Sequence, residues 1–365
     1  MVKDLYTLTH FEPIEDIAFT KNAVRMLPTK GGILPCGQGE RYIHSLQLEF
    51  EGRLALGVAA ALSEHVDSPY SIIDAVRVRG FHKVRKQQEE VLNLPGSVIR
   101  ELALEYGGRA PVTTGAITLT VADHDIRFVL PITFPPEDVP LYMQAPHLLD
   151  APHYENLVLE IKFADFKNTH APDTTTTETW TAFASAVGDP RVRVSARFAQ
   201  FGAGGAPDFV PAPVWRSYEE NTSSDITAGK VGARVKEIDT GHLVRALLIK
   251  TGVKFTTPTA GNSVFASLSD TILDNISVNY ALDKYLTKFA SFYALKEAQA
   301  YFDRIAPSTG YGRIDWVPQH DTRTAWDTSG LIGAPNVYLK ADVTGAANQA
   351  VGVAVEEIRG VPVGI

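Results

Sequence analysis

Two stretches of this chain lie two hundred residues apart and carry one pattern. Tyr42–Gly52 (YIHSLQLEFEG) aligns with His242–Gly252 (HLVRALLIKTG), each an apolar run that ends on a glycine. At the same offset, Ser71-Ile-Ile-Asp74-Ala-Val76-Arg-Val78 lies over Thr271-Ile-Leu-Asp274-Asn-Ile276-Ser-Val278, so aspartates and apolar positions coincide. Asn156–Phe163 (NLVLEIKF) then resembles Asn336–Val343 (NVYLKADV) at an offset of 180, as expected when the loops between equivalent strands differ in length. Two segments at one offset, in the same order relative to a helix, favour a duplicated chain of two similar halves over chance likeness between generic strands. At about 150 residues per domain, the 365 residues suffice for both.

The repeated unit is β-rich. The 28 glycines and 22 prolines punctuate the whole chain, between runs of five to ten residues with period-two alternation. In Ile43–Phe50, Leu46, Leu48 and Phe50 fall on one face, and Gln47 and Glu49 on the other. Similar alternation occurs at Ala75–Arg79, Ala116–Val121, Leu157–Phe163, Val192–Phe198, Val337–Val343 and Val351–Val355. Two segments follow a helical period instead. One starts with Ser97 as N-cap, continues through Val98, Ile99 and Leu102, and stops at Gly107-Gly108; the other is expected over Asp283–Ile305, with Leu286, Phe289 and Tyr293 on one stripe. Gly202–Trp215 and the Thr-rich Asp173–Thr181 read as loops or linkers.

About eight short strands with a helix in one connection are compatible with a jelly roll, and two in tandem make a double jelly roll. The expected fold is therefore all-β: an N-terminal arm over 1–32, a first roll over 33–200, a linker or loop over 201–235 and a second roll over 236–365. Through Ile72-Ile-Asp74-Ala-Val-Arg-Val-Arg-Gly80 and its following helix, and through the closing stretch from Gly312-Arg-Ile314 past Asp342-Val-Thr-Gly345 to Val353-Ala-Val-Glu-Glu357, the chain resembles the double jelly-roll major capsid proteins of tailless icosahedral, often membrane-containing bacteriophages. That resemblance implies a structural coat protein, without cofactor or turnover. Its rolls would stand side by side, perpendicular to the capsid surface. Three copies would form a pseudo-hexagonal homotrimer that tiles an icosahedral virion shell, after synthesis in the host cytoplasm. Implied partners are the chain itself, neighbouring trimers, penton and minor capsid proteins, and an internal membrane reached through the N-terminal arm. Asp165–Asp189 and Gly202–Lys230 are the candidate tower or lateral-contact loops, or plain surface loops. In the arm, Leu5, Phe11, Ile14, Ile17 and Phe19 alternate with acids, which suits a tie between subunits, or a packed terminal strand, better than insertion into anionic lipid.

Charge and chemistry narrow the function further. With 34 Lys+Arg against 42 Asp+Glu, the net charge is −8, and no basic block provides the footprint of direct nucleic-acid binding. The single cysteine, Cys36, has no internal disulfide partner and reads as an inert thiol. The apolar run Leu54–Ser63 is too short to span a bilayer, and the acidic residues near the start argue against a signal peptide. Asp123-His124-Asp125 offers metal-type ligands but reads as a hairpin turn. Asp315, Asp321 and Asp327, interleaved with Trp316 and Trp326, form the best place for a sugar site, against the plainer reading of a loop pinned by buried tryptophans. The sequons at Asn221 and Asn275 matter only in a secretory pathway. No catalytic, cofactor or metal residue is assigned. The competing functions are a carbohydrate- or receptor-binding β-sandwich such as a spike or adhesin, and a jelly-roll enzyme acting on polysaccharide.

Overall fold

A computed structural model describes residues 6–8, 10–18, 24–28, 41–56, 66–107, 110–111, 113–114, 123–136, 144–164, 178–181, 190–201, 210–255, 263–281, 284–301, 306–317, 325–331, 337–345 and 347–359. The chain divides into two compact units, one built on Met1–Trp215 and one on Arg216–Pro258 with Val264–Arg359.

The first unit contains β1 (Glu12–Ala18), β2 (Val24–Pro28), β3 (Arg41–Leu56), β4 (Ile73–His82), β5 (Gln87–Leu94), helix α1 (Gly96–Gly107), β6 (Asp123–Thr133), β7 (Tyr154–Phe163) and β8 (Arg191–Phe201). One antiparallel sheet has the order β1-β8-β3-β6 and the other β2-β7-β4-β5. The chain crosses between the sheets at nearly every step, which is the wrapping of an eight-stranded jelly roll. Leu46, Leu48 and Phe50 of β3 are buried, as the alternation requires, and Phe50 stacks on Phe128 of β6. Helix α1 buries Val98, Ile99 and Leu102 and packs against β6.

The second unit repeats the plan with β9 (Val214–Asn221), β10 (Ala233–Ile238), β11 (Leu243–Lys254), β12 (Leu273–Ala281), β13 (Lys284–Ser291), α2 (Phe292–Ala300), β14 (Tyr311–Asp315), β15 (Val337–Val343) and β16 (Gln349–Ile358). Its sheets run β9-β16-β11-β14 and β10-β15-β12-β13. Between them lies one apolar core that includes Leu247, Ile249, Ile276, Val278, Phe292, Leu339, Val353 and Val355.

The two rolls share their pairing as well as their order. Ile73 pairs with Phe163 and Val78 with Leu159 in the first; Leu273 pairs with Val343 and Val278 with Leu339 in the second. Each of these residues is displaced by the 200 or 180 positions expected from the sequence. The first repeated strand needs a correction. Its inward residues are Leu46 and Leu48 in β3 but Leu247 and Ile249 in β11, so the structural offset is 201 rather than 200. A β-bulge fixes that phase, because β3 skips His44 against β8 and β11 skips Arg245 against β16. Every position of β11 from Val244 to Gly252 is buried, so apolar content alone does not reveal which face is the core. A one-residue slip then goes unnoticed.

Other expectations also shift. Lys284–Ser291 is a strand, with Phe289 paired to Ile276, and the second helix begins only at Phe292, where Ser291 Oγ accepts the Ala294 N–H at 3.2 Å. The spacing of Leu286, Phe289 and Tyr293 spans a strand–helix junction, and Leu286 and Tyr293 are exposed. Asp123-His124-Asp125 opens β6, paired across to Arg53–Ala55, and is no turn. Glu178–Thr181 is a strand on β3. The first two strands of each roll lie where composition suggests an arm and a linker: β1 and β2 within 1–32, and β9 and the first half of β10 within 201–235. Backbone pairing holds these segments in spite of their glycines, prolines and acids. Ala116–Val121 and 202–209 lie outside the described residues.

Candidate functional site

The residues singled out for chemistry are held by structural partners. Arg53 binds Asp125 with two hydrogen bonds, Nε–Oδ1 at 2.6 Å and Nη2–Oδ2 at 2.9 Å, and lies 3.7 Å from Asp123, so the would-be metal carboxylates share a guanidinium. Trp316 and Trp326 do meet, with ring centroids 5.2 Å apart at 39°, but both pack against the core of the second roll. Asp315 accepts the Val317 N–H and lies 3.4 Å from Arg313, while Asp327 accepts from the Ser329 hydroxyl and then from the Ser329 N–H, which together lower its pKa. The two described aspartates therefore each hold a local turn; Asp321 and Cys36 lie outside the described residues. Asn221 bonds the Val235 carbonyl and Asn275 bonds Asp342. Among the described residues, no group of three or more His, Cys, Asp or Glu side chains could hold a metal ion.

Two polar centres emerge that no local pattern announces. In the second roll, Glu356 on β16 meets three arginines from three other strands: Arg216 Nε at 2.6 Å, Arg313 Nη2 at 2.8 Å and Arg245 Nη1 at 3.9 Å. All four side chains are at most 4% exposed. Burial pushes the Glu356 carboxyl up, but Arg313, Arg216 and Arg245 together outweigh it and hold the group far below the usual carboxylate range. The trace left in the sequence is a charged residue among apolar neighbours, Arg245 within Leu243–Lys254 and Glu356 within Gln349–Ile358, and it does not say what the residue pairs with.

The second centre lies in the first roll, where the connection from β6 to β7 gathers four of the chain's ten histidines. His44, at the β3 bulge, bonds Gln144 Oε1 through Nε2 at 2.9 Å. His147 Nδ1 donates to the Ala212 carbonyl at 2.9 Å. Asp150, fully buried, takes His82 Nε2 at 3.2 Å on one oxygen and His153 Nδ1 at 2.7 Å on the other. Because the Arg85 N–H donates to His82 Nδ1, the proton of that ring sits on Nε2 and points at Asp150. Beside this pair, Glu89 accepts from Arg85 Nε at 2.6 Å, from Gln87 and from the Tyr154 hydroxyl. Burial raises the Glu89 carboxyl, yet its three donors keep it below the ordinary value, while burial and the adjacent Glu89 push the Tyr154 phenol well above its own. Both centres are enclosed, and the carboxylates of Glu356, Asp150 and Glu89 are each held by two or more partners. This is the chemistry of cohesion, with no open nucleophile among these groups.

Two complete eight-stranded rolls in tandem place the chain in the double jelly-roll fold class. Solved structures with that fold match it over nearly its full length. The major capsid protein of STIV, Sulfolobus Turreted Icosahedral Virus, is 11% identical with a TM-score of 0.64, over 96% of this chain and 97% of that one. The major capsid protein P2 of bacteriophage PM2 is 12% identical with a TM-score of 0.57, over 98% and 100%. The PBCV-1 virus capsid is 10% identical with a TM-score of 0.61, over 98% and 96%. No protein-family model and no curated sequence matches the chain. At such identities the likeness is one of fold, and these neighbours are structural proteins rather than enzymes.

Proposed function

We propose that this chain is a viral major capsid protein that assembles as trimers and tiles an icosahedral shell. The observation that carries the reading is the equality of the two rolls, which repeat strand order, strand pairing and even the bulge at His44 and Arg245. Ligand binding or turnover needs one site and gains nothing from a second matched half. A tile does gain: three chains with two similar rolls each present six similar lateral faces, and closed symmetric assembly follows from repeated use of one contact. The buried ionic centres fit the same role, since they stiffen a wall and leave no group open to substrate. Full-length likeness to capsid proteins of three viruses supports this reading. The chain then belongs in the virion, with penton and minor capsid proteins as neighbours, and has no catalytic turnover.

Light scattering after size exclusion, over a range of concentrations, tests the proposal. The expected result is a stable species near three times 39.8 kDa, or closed particles built from it. A strict monomer at every concentration removes the tile. The glycan-binding alternative would then be tested on the Trp316–Trp326 pair.

A further inference from the structure

The described stretch that leads into β7, residues 144–153, is fastened at both ends by histidines, in two different electrostatic settings. At its start, Gln144 accepts from the buried His44, while Ala145 and Leu148 pack on an apolar cluster of Tyr6, Tyr42, Ala199 and Phe201. Two backbone hydrogen bonds of 3.0 Å between Ile43 and Leu149 close this half. At its end, Asp150 is gripped by His82 and His153. We propose that residues 144–149 form an acid-released latch on the first roll, hinged at Asp150.

The argument is one of charge placement. The charged neighbour of His44 is Arg197 of β8; Tyr6, which shares Arg197, is kept neutral by burial, and Ser45 and Gln144 carry no charge. A proton on His44 therefore enters a buried site that already faces a cation, and burial first, with Arg197 adding to it, outweighs the raising effect of the hydrogen bond to Gln144 and holds this imidazole below its ordinary value. His153 is the reverse. Its bond to Asp150 holds it above the ordinary value, against burial and the repulsion of Lys83 and Arg85. The signs follow by linkage. The contribution of His44 to docking is complete above the unfolded histidine value, near pH 6.5, and declines as pH falls through it. That of His153 is complete below that value and fades as pH rises through its raised one. Acid thus loosens residues 144–149 and tightens 150–153. The equivalent bulge in the second roll carries Arg245 next to Glu356, a pair already charged at neutral pH, so that bulge does not share the response.

Hydrogen exchange on the purified full chain at pH 7.5 and pH 5, corrected for intrinsic rates, tests this directly. Residues 144–149 should exchange faster at pH 5, by up to about tenfold for each pH unit by which His44 is held down, while 150–154 keep their protection. His44→Gln should abolish the difference, and Arg197→Gln should move its midpoint to higher pH, a shift that a merely structural arginine would not produce. Should either variant fail to fold, the His44 ring resonances of the unaltered chain supply the same test, because their titration midpoint must coincide with the opening midpoint. Equal protection of 144–149 at both pH values, opening of both halves together, or a His44 midpoint unrelated to opening would each overturn the latch. None of these readouts depends on trimer or shell formation.

Discussion

At the scale of single residues, the second roll depends most on Glu356. Its carboxylate is the shared partner of Arg216, Arg245 and Arg313, and removing one member of a buried ionic group leaves the others uncompensated. Glu356→Gln should cost about 3–5 kcal/mol, read as a lower urea midpoint with an unchanged slope. A pH dependence follows as well. A carboxylate whose pKa is depressed on folding contributes stability that is complete above its unfolded value and is lost as pH falls through the folded one. The lowered pKa of Glu356 therefore keeps this centre intact through mild acid, and the Gln variant should lose the corresponding rise of stability with pH in the strongly acidic range. These partners were illegible in the sequence. Arg216, Arg245, Arg313 and Glu356 each lie on a different strand, and only the order of the sheet brings them together.

At the scale of elements, the period-two signal proved sufficient where one face is buried and the other wet. Strand β15 follows its alternation residue by residue, and the alternation holds in β3 over Leu46–Phe50 and in β7 over Leu157–Phe163 apart from the buried Glu160. It misled where a strand runs straight into a helix. From Lys284 to Ala300 the apolar spacing suits one long helix, but pairing to β12 claims the first eight residues and the cap at Ser291 starts the helix there. Ser291→Ala should therefore destabilise the chain by about 1 kcal/mol, the usual effect of losing a serine N-cap. A serine in the middle of a helix on residues 283–305 would instead be near neutral when replaced. Chemical denaturation of the single variant separates the two. Segments 12–18 and 214–221 likewise became strands through hydrogen bonds to distant partners, which their proline and glycine neighbours do not advertise.

At the scale of the molecule, duplication makes its own prediction. Leu159 and Leu339 occupy the same position of the same strand in the two rolls, pair with Val78 and Val278, and are fully buried. Leu159→Ala and Leu339→Ala should each cost about 2–5 kcal/mol, and by similar amounts, because equivalent surroundings leave equivalent cavities. Thermal or urea unfolding of the two variants checks this, and a large cost at one site with none at the other would mean that the rolls have diverged in packing. The sequence by itself determined that there are two β-rich halves, which faces of most strands are apolar, and the pairing offsets of 200 and 180 between β4 and β12 and between β7 and β15. These are properties of neighbours along the chain, and the pleat converts them into faces. The tertiary structure alone decided the phase of β3 against β11, the role of 12–18 and 214–221 as strands, and the meeting of the arginines at Glu356 and of the histidines along 144–153. Each depends on register between strands far apart in the chain, and a bulge that moves one residue reverses every face after it.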